Sequence, residues 1–193
     1  MVKLIKWLRY YFYNIINNII FYINNIVIDS SFKITGILYI KNKGICKIGK
    51  NFKCNSGRNY NTIGGDTILR LVISKGSMLN IGNNVGISNT TIYVANKITI
   101  GDNVLIGGGC KIWDTDFHSL DPYIRIIKND EIINTKPIII KNNVFIGGNS
   151  IILKGVTIGE NSIVGAGSIV TKDVPKNEIW AGNPAKFIKK ILL

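Results

Sequence analysis

His118 is the only histidine among the 193 residues. Apart from thiols, it is the one side chain here whose ordinary pKa lies near neutrality, which suits it to accept and return a proton. It closes the run Asp114-Thr115-Asp116-Phe117-His118. A histidine base needs a partner on its other ring nitrogen to fix its tautomer. Residues two apart in an extended segment share a side, so Asp116 is the expected orienting carboxylate. Asp114 is left to meet a substrate, or to cap the turn that starts a loop. A single histidine excludes a three-histidine zinc centre and the HExxH protease site. The two aspartates lack a second ligand type, so no metal is expected.

Other chemistry is sparse. Cys46, Cys54 and Cys110 are odd in number and lack CxxC spacing. They fit neither a disulfide framework nor a zinc knuckle and suit a reducing compartment, so a cytoplasmic location is expected. Cys110 falls in an apolar repeat with no histidine partner, which argues against a covalent thioester on the enzyme. There is no GxxxxGK[ST] and no GxGxxG, so nucleotide hydrolysis and dinucleotide binding have no support.

The elements that must carry these residues follow from periodicity. An aliphatic residue recurs every six positions at Ile140, Ile146, Ile152, Ile158, Val164 and Val170, with a second run at Ile100, Ile106 and Ile112. Weaker traces appear at Ile81/Ile87 and Ile48/Cys54. Six matches neither the 3.6 period of a helix nor the two-residue alternation of a long strand. It predicts a solenoid of very short strands and tight turns, each aliphatic side chain stacking on its equivalents in adjacent coils. Ile87 and Ile100 stand 13 apart, which predicts a one-residue bulge between them. Ile occurs 40 times and Asn 24 times, a bias expected of an AT-rich genome, so neither residue alone carries weight. The repeat is interrupted by an insertion over 113–137, and long insertions in compact repeats are commonly functional. After Pro184, AKFIKKILL reads as a short C-terminal helix.

Composition fits one folded domain with a short appendage: 46% of residues are apolar and 18% charged. The net charge of +13 is uneven, because residues 1–75 hold twelve Lys/Arg against only Asp29 and Asp66. Such a half suits an anionic partner: a membrane surface, a phosphorylated substrate or nucleic acid. No nucleic-acid module is present, so nucleic acid is not expected. Residues 4–28 hold five asparagines, against a membrane span, and no small-residue cleavage site follows. Ile15, Ile16, Ile19, Ile20, Ile23, Ile26 and Val27 recur at helical spacing. They predict an amphipathic helix with a break near Asn14 and its asparagines on the polar side. Lys3, Lys6 and Arg9 flank Trp7 and Tyr10–Tyr13. The segment either packs on the protein or a neighbouring subunit, or lies peripherally on an anionic membrane. The expected organisation is a helical segment over 1–30, a β-solenoid over 31–180 with its loop at 113–137, and a helix over 181–193.

The segments ITIGDNVLIGGG, DTDFH and VFIGGNSIILKGVTIGENSIVGAGSIVTKDVPKNEIWAGNPAKFIKKI resemble the hexapeptide-repeat acyltransferases, chiefly the sugar and polysaccharide O-acetyltransferases. The resemblance covers about residues 80–191, and residues 1–75 match weakly. It implies a left-handed parallel β-helix, a homotrimer, and acetyl-CoA bound between two subunits, with the protruding loop supplying a catalytic histidine. His118 matches that histidine. The resemblance implies that Gly148, Ala166, Thr171, Lys172, Lys186 and Lys189 meet coenzyme A, the lysines through its phosphates. A backbone N–H at Gly147 or Gly148 would stabilise the oxyanion. Asn89 is the candidate for the family's acceptor-side asparagine.

On this reading the protein is an acetyl-CoA-dependent O-acetyltransferase of a sugar hydroxyl in bacterial surface polysaccharide synthesis, acting by direct transfer. The acceptor is a saccharide, free or linked to a lipid or nucleotide. Two competing readings share the coils: N-acetylation of a nucleotide-linked amino sugar or a xenobiotic, and a non-catalytic membrane-binding scaffold. A γ-class carbonic anhydrase is excluded by the single histidine.

Overall fold

The computed structural model describes residues 2–127 and 133–192, with side chains from Leu8 onward. Residues 128–132 of the 113–137 insertion, and the side chains of Lys3, Lys6 and Trp7, lie outside the described part. The chain winds repeatedly through three sheets and forms a left-handed parallel β-helix of triangular section. The first face stacks Val27–Ile28, Ile45–Ile48, Met78–Ile81, Lys97–Ile100, Ile138–Ile140 and Thr157–Ile158. The second stacks Lys33–Gly36, Lys53–Ser56, Gly86–Ser88, Leu105–Ile106, Phe145–Ile146, Ile163–Val164 and Glu178–Ala181. The third stacks Tyr39–Asn42, Arg70–Ile73, Thr91–Val94, Lys111–Trp113, Ile151–Ile152 and Ile169–Val170.

The six-residue period is the core. Ile140, Ile146, Ile152, Ile158, Val164 and Val170 are all buried, as are Ile100, Ile106 and Ile112. Each side chain removed from water contributes about 1.5–3 kcal/mol. The expected bulge between Ile87 and Ile100 is absent, and the ladder there keeps its register. Instead the corner Asn89–Thr90 is short, and the stretch from Ile92 to Ile100 is long, with Val94 and Ile98 as extra inward residues.

The asparagines carry more than base composition. At the corner between the first and second faces, Asn51, Asn84, Asn103, Asn143, Asn161 and Asn177 all sit at φ between 56° and 60°. Asparagine tolerates this left-handed region far better than most non-glycine residues. Their amides form a continuous ladder, Nδ2 to Oδ1, at 2.8–3.0 Å from coil to coil.

Helix α1, Val2–Ile23, lies on the first coil and is continuous through Asn14. Its asparagines do not all face away from the protein. Asn17 is fully buried; it donates to the Gly36 carbonyl at 2.9 Å and accepts from the Leu38 amide at 3.2 Å. The first coil has no preceding strand to satisfy these groups, and Asn17 substitutes for one. Phe21 enters the core beside Phe32.

The C-terminal helix is not formed. Lys186–Lys190 is a strand antiparallel to Glu178–Ala181. The last coil leaves an open sheet edge, and pairing with it outweighs the helical preference of KFIKK.

Candidate active site

The loop that carries His118 leaves the third face after Trp113 as a two-stranded ribbon. Lys136 N–H donates to the Asp114 carbonyl, Thr115 bridges Thr135, and Asp116 N–H donates to the Asn134 carbonyl. Phe117 then turns the chain at φ 61°. A bulky residue there is strained; its ring is held by Tyr93 and Trp113 at centroid distances of 4.8 and 6.1 Å. His118 follows and is exposed. Beyond it, Asp121 caps a short helix, Pro122–Ile126. From this helix Arg125 donates to the Ser119 and Leu120 carbonyls at 2.9 and 2.8 Å. The imidazole is therefore presented by a loop braced on both sides.

Asp116 does not orient His118 here. Its Oδ1 pairs with Lys154 at 3.0 Å, and its Oδ2 is buried without a hydrogen-bond partner. Among the described residues no hydrogen bond joins Asp116 to His118. Lys154 escaped sequence reasoning because only the stacking of coils brings position 154 beneath position 116. Asp114 is corrected as a substrate contact. It is fully buried, and its two oxygens accept from the Ala95 and Asn96 amides at 2.6 and 2.9 Å. That clasp, not a ligand, satisfies the carboxylate.

The residues expected to meet a cofactor are divided between the two ends of the third face. Gly147, Gly148 and Ala166 stack in successive coils between the second and third faces, and the Gly167 amide donates to the Gly148 carbonyl at 2.9 Å. A Cβ on Gly147 would lie 2.5 Å from the Ala166 nitrogen, so this corner is bare by steric necessity. Lys186 and Lys189 lie exposed on the terminal strand, and Ala185 N–H ties that strand to Ile169. Thr171 and Lys172 are exposed at the end of the third face. Asn89 is likewise corrected as an acceptor contact: it sits at the glycine corner, buried, and its Oδ1 accepts from the Gly57 amide at 2.8 Å. His118 emerges at one end of the third face and the glycines at the other. That face spans about five residues, roughly 15 Å at ~3.3 Å per residue.

The thiols are inert. Burial pushes Cys46 up to about 12 and raises Cys54 and Cys110 as well. Cys110 donates to the Gly147 carbonyl at 3.2 Å. None offers a thiolate for acyl transfer at neutral pH. Among the described residues no cluster of His, Cys, Asp and Glu could hold a metal ion.

Known proteins place the chain. A family model described as the hexapeptide repeat of succinyl-transferase matches residues 97–112 and 137–172. Galactoside O-acetyltransferase of Escherichia coli (strain K12) is 46% identical over 119 residues, which is 61% of this chain and 57% of that protein. The match spans about half the length of the curated relatives. Among solved structures, a galactoside acetyltransferase in complex with coenzyme A is 32% identical, covering 86% of this chain and 64% of that one, at a TM-score of 0.57. The maltose O-acetyltransferase of Clostridium difficile 630 is 31% identical, covering 84% of this chain and 72% of that one, at a TM-score of 0.54. With the stacked coils, the bare glycine corner and the histidine loop, these likenesses identify the chain as a member of the hexapeptide-repeat acetyltransferase family.

Proposed function

We propose that this protein is an acetyl-CoA-dependent O-acetyltransferase acting on a saccharide hydroxyl in surface polysaccharide synthesis. The observation that carries the reading is the separation just described. The lone histidine and the bare glycine corner stand at opposite ends of one face, so a second protomer completes the site if its glycine corner meets this loop. A homotrimer with three such seams fits the arrangement. Likeness to a galactoside acetyltransferase solved with coenzyme A supports the cosubstrate.

In this mechanism His118 takes the proton from the acceptor hydroxyl as its oxygen attacks the thioester carbonyl. The tetrahedral oxyanion is stabilised by the backbone N–H of Gly148, because the Gly147 N–H already donates to the Val164 carbonyl at 2.8 Å. Collapse expels the CoA thiolate, which recovers the proton from the imidazolium. The buried thiols leave direct transfer in a ternary complex as the route. Lys172, Lys186 and Lys189 present exposed charge for the phosphates of coenzyme A.

Thiol release, measured with acetyl-CoA across hydroxyl and amine acceptors, tests the reading. Saccharide hydroxyls should react, and His118→Ala should lower kcat by about 10²- to 10⁴-fold with the melting temperature unchanged. Transfer to amines alone would replace O-acetylation by N-acetylation. An unaltered rate in His118→Ala would remove the base.

A further inference from the structure

α1 has two apolar sides, and the prism uses only one. Asn17 and Phe21 are buried against the first coil. On the other side Leu8, Phe12, Ile15, Ile19, Tyr22 and Ile23 are 45–84% exposed. Their spacing of three and four residues makes one stripe along the helix. A run of large apolar side chains open to water marks a surface meant to be covered.

The surroundings say by what. The coils on which α1 rests present exposed Lys33, Lys41, Lys43, Lys47, Lys50 and Lys53, and within residues 1–75 only Asp29 and Asp66 are acidic. A second copy laid stripe to stripe would bring a second basic collar with only Asp29 and Asp66 to offset it, unlike the seams proposed for the trimer, which lie at the histidine loop and the glycine corner. A surface of negative headgroups over hydrocarbon complements both features together. No helix among the described residues is long and apolar enough to cross a membrane. α1 also lies at the end of the prism where the strand stacks begin, so its outer side looks away from the coils and can meet a plane.

We propose that α1 is an interfacial anchor that seats the N-terminal end of the prism on an anionic lipid surface. The apolar stripe enters the headgroup boundary, and the lysine collar binds the negative headgroups. This does not depend on the proposed chemistry, because binding is read without acetyl transfer.

Vesicle flotation of the full chain tests it. The protein should float with vesicles of phosphatidylcholine and phosphatidylglycerol at 70:30 but not with phosphatidylcholine alone. Binding should fall at least tenfold between 50 and 500 mM salt, as screening of exposed charges requires. A Phe12→Ser/Ile19→Gln variant, altered only at exposed positions, should lose at least tenfold in binding while keeping its melting temperature and its mass by light scattering. Equal flotation with both vesicles, or undiminished binding by the variant, would overturn the anchor. A variant that falls apart into smaller assemblies would assign the stripe to a second copy and overturn it too.

Discussion

Asp116 Oδ1 meets Lys154 Nζ at 3.0 Å, which ties the protruding loop to the coil that follows it. Asp116 stands two residues before His118, and its second carboxylate oxygen is buried with no hydrogen bond. The loop is thus pinned by a partly buried charge pair rather than by a carboxylate–imidazole bond.

Removing Lys154 would strand that carboxylate. Both side chains are about four-fifths removed from water, so the cost lies between that of a surface pair and that of a fully buried one. Lys154→Met should destabilise by about 1–3 kcal/mol in urea unfolding. Adding Asp116→Asn should recover most of the loss, because the uncompensated charge disappears with it. A double variant as unstable as the sum of the singles would mean that the two residues act independently.

The asparagine ladder separates two physical contributions at one position. Asn103 holds φ 58°, donates to Asn143 and accepts from Asn84. Asn103→Gly keeps the backbone relaxed but forfeits both amide bonds, each worth about 0.5–1.5 kcal/mol net. Asn103→Ala forfeits them and adds the left-handed penalty of about 1–2 kcal/mol. Thermal unfolding should therefore rank wild type above glycine and glycine above alanine. Equal losses in the two variants would show that the backbone angle costs nothing here.

The buried thiols predict a fall in stability with alkali. Their folded pKa values are raised by burial, Cys46 to about 12, whereas exposed thiols in the unfolded chain ionise near ~8.5. Below that value both states hold the proton and the contribution is complete. As pH rises from about 8.5 towards 12 the unfolded state loses protons that the folded state retains, so stability drops by up to ~1.4 kcal/mol per pH unit per thiol. A Cys46→Ala/Cys54→Ala/Cys110→Ala protein should show a shallower decline of melting temperature between pH 8 and 10. Parallel declines would show that the thiols ionise alike in both states.

Much of the fold was legible because its signal is local and repeated. One inward aliphatic per six residues dictates a coil, and Ile140 to Val170 stack as that period requires. The catalytic candidate was legible for a different reason: a lone histidine on a long insertion can be found by counting. The fates of Asp114 and Asp116 were not. Both stand within four residues of His118, yet one is consumed by the Ala95 and Asn96 amides and the other by Lys154. Those partners lie on neighbouring coils, 18 to 38 residues away along the chain, and only the stacking register brings them within reach.

The same divide holds at the two ends. Residues 186–190 have helical tendencies, but a helix bonds to itself whereas an exposed strand edge needs a partner, and the edge prevailed. Periodicity identified α1, yet only packing decided which of its apolar sides the protein buries and which it leaves for another surface. The sequence by itself determined the repeat, its core and the identity of the one imidazole, because these depend on residue type and spacing alone. Tertiary structure decided every pairing across coils, because hydrogen bonds and charges act over a few ångströms in space and are indifferent to separation along the chain.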